Sequence, residues 1–390
     1  MFGRSFKLFR VMGFTVRADI SWLLIAVLIT WSLAVGLFPN YYPPEKYPQM
    51  TAGYYWLMGL AGAVGLFGSI VFHELCHSLT ARRFGTQMKG ITLFIFGGVA
   101  EMAEEPKNAR AEFWTAIFGP IASIAVAIVS YLIYLAGRAG AWPIFIQGVF
   151  GYLGFINILL VMFNLIPGFP LDGGRVLRSV LWYAKGDLRW ATRVAARIGS
   201  GFGLLLIFLG VFWFFRNPVG GIWWLLIGLF LRNAARQSYQ QLVIRQALEG
   251  EKVRQFMNEH PVTVPPDLPV SRMVEEYVYR YHHKMYPVTE DGHLRGCIGI
   301  EEIRALPREE WPRRQVAELT RPCTLDNTID ADADAVEALS RMSRTQSSNL
   351  MVTEGERLAG IISLKDLLKF LAIKVELENG GARGLKLPLL

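Results

Sequence analysis

Cysteine is nearly absent: Cys76, Cys297 and Cys323 are the only three in 390 residues. One lies in an apolar segment and the others far downstream, so no disulfide framework is implied, and a reducing, cytosolic face suits them. Charge is thin too. Charged residues make up 18% of the chain and hydrophobic ones 52%, and long stretches before Gln237 carry no charge. That composition excludes an ordinary soluble enzyme. The formal net charge of +8 does not indicate nucleic acid, because no basic patch with interleaved aromatics occurs. No nucleic-acid partner is therefore expected. A secretory signal is also missing: Arg4, Lys7, Arg10 and Arg17 are not followed by a short apolar core with a cleavage site.

What is present is a series of apolar runs. Six have about the length needed to span a bilayer: residues 20–38, 54–79, 114–136, 144–166, 194–215 and 219–231, the last short unless it extends to Arg236. Arg82, Arg83, Lys89, Lys107 and Arg110 follow the second run, and Arg175, Arg178, Lys185 and Arg189 follow the fourth. The opposite loops hold only Lys46, Arg138 and Arg216. The positive-inside bias predicts a multi-pass cell-membrane protein, in contact with the lipid bilayer, with both termini in the cytoplasm. Residues 2–22, with basic residues among aromatics, fit an interfacial anchor.

After Gln237 the composition becomes that of a soluble domain. A helical linker (238–250) leads into two copies of a repeat of about 63 residues, at 251–314 and 315–378, and then a loose tail, 379–390. The best-matched stretch pairs Pro287-Val-Thr-Glu-Asp-Gly with Met351-Val-Thr-Glu-Gly-Glu. Each copy reads as helix, short strand, helix, strand, turn, strand, helix. The expected fold class is a polytopic α-helical membrane protein of about six spans with a C-terminal α/β tandem domain.

The second run contains His73-Glu-Leu-Cys-His77. Positions four apart on a helix differ by about 40°, so both imidazoles face one way and can share a metal, while Glu74 can reach a metal-bound water as general base. The bland alternative is a buried histidine pair in a helix bundle. It must explain two histidines and a glutamate in hydrocarbon, where such groups are costly. Catalytic zinc takes three protein ligands. Residues 78–96 offer no third His or Glu, and the candidate is Asp172, in Asn164-Leu-Ile-Pro-Gly-Phe-Pro-Leu-Asp-Gly-Gly174. Pro167 and Pro170 break the fourth span, and Gly173 and Gly174 allow tight backbone turns. The alternative for Asp172 is a helix-capping carboxylate. His260, His282, His283 and His293 lack ligand spacing.

These two motifs together resemble the site-2 protease family of intramembrane zinc metalloproteases, peptidase family M50, over residues 1–237. The repeat resembles a tandem of CBS motifs, as in the subgroup that includes a sporulation protease acting on a pro-sigma factor. The resemblance implies one zinc ion held by His73, His77 and Asp172, water activated by Glu74, and cleavage of transmembrane protein substrates in regulated intramembrane proteolysis. A nucleotide-gated transporter is the rival, and it needs charges lining a path across several spans, which are nearly absent outside the motifs.

Residues 91–99 are β-rich and include the pair Gly97-Gly98. An edge strand there could hold substrate extended by β-augmentation, the role the resemblance assigns to this loop. Asn164 is a candidate for hydrogen-bonding substrate backbone or an oxyanion, with an interhelical polar contact as the alternative, which is the reading for Asn157. In the second repeat, Gly360-Ile-Ile-Ser-Leu-Lys-Asp366 resembles the pattern with which CBS families bind adenine nucleotides. The resemblance puts Ser363 near phosphate and Asp366 on ribose hydroxyls, with ATP, ADP or AMP as ligand. The first copy has Gly299 and Glu302 instead, so at most one good site is expected. CBS pairs also imply a homo-oligomer.

Overall fold

The computed structural model describes residues 5–86, 88–95, 97–102, 106–345 and 347–378. The chain divides into two compact units, Met1–Gln240 and Gln241–Leu390. Six helices are long and apolar enough to cross a membrane: α1 (Ile20–Tyr41), α2 (Ala52–Arg83), α3 (Ala109–Ala139), α4 (Ile144–Asn164), α6 (Leu188–Phe214) and α7 (Pro218–Leu248), the last continuing beyond the first unit. A shorter amphipathic helix, α5 (Asp172–Lys185), lies between α4 and α6. Side chains such as Val27, Phe208 and Phe212 are about two-thirds exposed, which suits a lipid environment and no aqueous one.

Most helices outrun the apolar stretches that announce them, because the backbone ladder continues into polar flanks. Asp19, Asn108 and Asp187 cap α1, α3 and α6, accepting hydrogen bonds from the backbone N–H of Ser21, Ala111 and Trp190. The helix that carries the sixth apolar run is 31 residues long and continues through the stretch expected as a helical linker as far as Leu248.

A four-stranded sheet runs in the order β1 (Ser5–Val11), β2 (Phe14–Asp19), β3 (Met88–Phe94), β4 (Gly97–Met102). β2 and β3 pair in parallel, and the outer pairs are antiparallel. Residues 5–19, expected to be part of an interfacial anchor, form a hairpin within this sheet; residues 2–4 lie outside the described residues. Phe14, Val16 and Ala18 are all buried, a period-two pattern that marks a strand with one covered face. That face packs with Ile91 and Leu93 against Leu75 of α2. The sheet therefore rests on the turn of α2 that carries the histidines.

The second unit has a sheet ordered β5 (Met285–Glu290), β6 (His293–Gly299), β10 (Arg357–Ser363), β9 (Asn349–Glu354), β8 (Thr328–Asp330), with β7 (Arg321–Pro322) on β6. The two copies exchange their leading segments. Val253, which opens the first copy, packs with Ile329, Leu350 and Ile362 of the second. Val316, which opens the second, packs with Val264, Tyr286 and Ile298 of the first. Equivalent backbone bonds hold both exchanges: Val253 N–H donates to the Ala333 carbonyl (3.0 Å), and Val316 N–H to the Leu268 carbonyl (2.9 Å).

Candidate active site and metal centre

His73 and His77 are buried on one face of α2, and Asp172 is the first residue of α5, 99 positions beyond His73. A loop over 165–171, rather than the fourth span itself, delivers it. Gly173 and Gly174 serve close approach, not a special turn: they are helical, and a Cβ on either would overlap the backbone of Leu165 or Gly168.

His73 Nε2 lies 3.0 Å from His77 Nε2 and 3.0 Å from Asp172 Oδ2, and His77 Nε2 lies 3.2 Å from Asp172 Oδ1. The other ring nitrogens are engaged by α3: His77 Nδ1 with the Thr115 carbonyl (2.6 Å) and His73 Nδ1 with Ser123 Oγ (2.9 Å). A carbonyl only accepts, so the His77 proton sits on Nδ1 and its Nε2 presents a lone pair. Two imidazole nitrogens and a carboxylate thus converge, with the His77 Nε2 lone pair and both Asp172 oxygens facing inward, an arrangement that fits a cation. Tetrahedral zinc with bonds of about 2.0–2.1 Å spaces its ligands about 3.3–3.4 Å apart, close to the triangle found. The site fits zinc.

α3 is the platform for this triangle, and sequence reasoning missed it. Thr115, Gly119 and Ser123 recur every four residues and face the imidazoles. A Cβ at Gly119 would come within 2.6 Å of His73 Nε2 and closer still to His77 Nε2. One helical turn earlier, fully buried Glu112 bonds Arg178 Nε of α5 at 2.6 Å, with Arg175 Nε at 4.0 Å. This buried pair fastens the helix that begins with Asp172 onto the helix that orients both histidines. Removing one partner of such a pair costs about 3–5 kcal/mol. The available signal was a small and polar stripe at helical spacing in an otherwise apolar span.

The family model for peptidase family M50 matches residues 61–208, and that for the CBS domain matches 253–309 and 316–373. The Rip3 protein of Mycobacterium tuberculosis is 34% identical over 371 residues, covering 93% of this chain and 92% of its own. This chain belongs to peptidase family M50. The zinc metalloprotease MJ0392 of Methanocaldococcus jannaschii is 30% identical over 380 residues, covering 96% and 99% of the two chains. Stage IV sporulation protein FB of Bacillus subtilis is 28% identical over 214 residues, 53% of this chain and 70% of its own. The M50 chain is thus a multi-pass membrane protein of a zinc metalloprotease family with a tandem CBS unit.

The remaining candidates scatter. Gly98 of β4 sits beside Glu74, where an added Cβ would meet Glu74 Cγ at 2.9 Å. Gly97 has φ +130°, a conformation that suits glycine. Asn164 ends α4 half-buried, and its side chain makes no hydrogen bond among the described residues. Asn157 is an interhelical contact, donating to Ser69 Oγ at 3.1 Å. Ser363 and Asp366 hold each other: Asp366 Oδ2 accepts from Ser363 Oγ (2.5 Å) and from Ser363 N–H (3.2 Å). Glu302 makes the matching bond to Gly299 N–H at 2.9 Å in the first copy.

Proposed function

We propose that this chain is a zinc endopeptidase that hydrolyses peptide bonds within or beside transmembrane segments of other membrane proteins. The observation that carries the reading is the triangle that His73 and His77 of the apolar helix α2 form with Asp172 of α5, with Glu74 next to an edge strand. Zinc held there supplies Lewis acidity, polarising a peptide carbonyl and making water nucleophilic near pH 7. Glu74 takes the proton from the attacking water and delivers it to the departing amide nitrogen. The edge strand β4, free of side chains at Gly97 and Gly98, holds the substrate backbone extended, and Asn164 donates to a substrate carbonyl.

The test is metal removal. Purified full chain in liposomes, with a fusion protein carrying a transmembrane segment, should contain close to one zinc per chain and cleave the fusion. A chelator should stop cleavage and added zinc restore it. His73→Ala, His77→Ala and Asp172→Ala should lose zinc or bind it at least about tenfold more weakly. Folded Asp172→Ala protein with full zinc and full activity would require a different third ligand.

The proposed orientation has both termini, the site and the CBS unit in the cytoplasm, and a thiol reagent tests it. Cys323 is the exposed handle, although partial burial raises its thiol pKa. Cys297 is fully buried, and burial raises its pKa as well, so it should stay unlabelled from either side. An impermeant maleimide should label Cys323 only after cells are opened. Labelling in intact cells would reverse the orientation.

Regulation by an adenine nucleotide at the CBS unit is part of the proposal, centred on Ser363 and Asp366. Their mutual hydrogen bonding has a competing explanation as a helix cap. Calorimetry on the full chain with ATP, ADP and AMP separates the two. Asp366→Asn, which keeps a cap acceptor, should weaken binding at least about tenfold, the cost of about one charged hydrogen bond. Unchanged binding would leave the cap as the residue's whole role.

A further inference from the structure

A cavity that catalysis does not use runs from the end of the membrane unit remote from the histidines along α3 as far as Ala127, one helical turn from Ser123. It has a volume of about 590 Å³ and lies between the end of α1, the second half of α3 and α4 from Gly148 to Ile158. Tyr55, whose hydroxyl bonds the Tyr42 carbonyl at this level, is 18 residues from His73 along α2, or ~27 Å.

Ile128, Leu132, Phe155 and Ile158 give the lining its apolar part, Tyr131 and Tyr152 stand among them, and Tyr41, Tyr42 and Tyr134 lie toward the helix ends. The α4 wall from Gly148 to Ile158 runs ~15 Å. A slim, extended hydrocarbon chain fits.

The mouth carries a charge. Arg138, in the last turn of α3, is exposed, and its guanidinium lies 5.9 Å from the centre of the Tyr134 ring. It also acts electrostatically on Tyr42, whose phenol pKa is raised by burial, Tyr134 and Tyr47 against the lowering influence of Arg138. Among the described residues Arg138 makes no ion pair. An unpaired cation beside hydroxyl groups at the top of an apolar slot is complementary to a phosphate carried on an acyl chain.

We propose that this cavity binds one acyl chain of an anionic phospholipid, with the headgroup phosphate on Arg138 and the rim tyrosines. The lipid would sit in the leaflet at the end of the bundle away from the histidines.

Native mass spectrometry of the detergent-purified full chain tests this, with dioleoyl phosphatidylglycerol and dioleoyl phosphatidylcholine as probes. One phosphatidylglycerol per chain should be retained in preference to phosphatidylcholine. Arg138→Gln should reduce that retention about fivefold, the effect of one basic residue near a lipid surface. Ile128→Trp with Ile158→Trp, which fills the slot, should abolish retention of both lipids. Since filling the slot can disturb folding, Arg138→Gln and Tyr134→Phe at the rim provide the independent measurement. Equal retention of the two lipids, unchanged by Arg138→Gln, overturns the proposal. So does competitive displacement of the lipid by a transmembrane peptide, which would make the slot a helix-docking surface.

Discussion

Glu74→Gln protein is expected to bind zinc as the wild type does and to cleave about 10²–10⁴-fold more slowly. That range is the contribution of a positioned general base. The residue follows His73 on α2, ~100° further round the helix, so its carboxylate is not a member of the His73–His77–Asp172 triangle. It points instead toward β4, where Gly98 leaves room for it. Glutamine has the same shape, so packing against Gly98 survives while the proton acceptor is lost. Zinc analysis and a liposome cleavage assay on one preparation separate the outcomes. Near-normal cleavage by folded, zinc-loaded Glu74→Gln protein would sink the assignment of the base.

Gly119→Ala is expected to do the opposite: to lose zinc, and cleavage with it, although no ligand has changed. The added methyl would stand 2.6 Å from His73 Nε2 and nearer to His77 Nε2, inside the space the metal and its ligands need. α3 cannot step back to relieve the overlap. It is held to His77 through the Thr115 carbonyl, to His73 through Ser123, and to α5 through Glu112 and Arg178. Overpacking of this kind costs about 1–3 kcal/mol of stability, and displaced ligands lose at least about 10–100-fold in metal affinity. A lipid-facing change on the same helix, Ile121→Ala, controls for nonspecific damage, since Ile121 is 44% exposed. Wild-type zinc content in Gly119→Ala would show that the imidazoles have room to move.

The two predictions differ in how visible their residues were. His73, Glu74 and His77 were legible because helical geometry turns an i, i+4 spacing into a shared face, and Asp172 because its motif interrupts a span where polarity is costly. Gly119, Thr115 and Ser123 were not singled out. Small and weakly polar residues are common in membrane helices, where they let neighbours pack closely, and only the neighbour's identity makes these three special. Glu112 and Arg178 lie 66 positions apart, and nothing local announces their pairing.

The same division holds in the fold. Six spans were countable from apolar runs, but their ends were not, because caps such as Asn108 and Asp187 act where hydropathy has already fallen. The β1–β2 hairpin was hidden by its basic and aromatic composition, although the alternation of Phe14, Val16 and Ala18 was there to be found. The repeat was legible by self-similarity. The exchange of Val253 and Val316 between its halves was not, because alignment of two copies says nothing about which core each segment enters.

The separation of Asp172 from His73 by 99 residues has a consequence for biosynthesis. At about 5–20 residues per second, the ribosome adds Asp172 roughly 5–20 s after His73. Throughout that interval the nascent chain holds the histidine pair and the glutamate but lacks the carboxylate proposed to complete the zinc centre. Two further spans, α3 and α4, are made in the same interval. On the proposed ligand set, a chain made in this order cannot gather all three metal ligands until four of its own spans have been synthesised, so a chain stalled earlier enters the membrane without a complete metal centre.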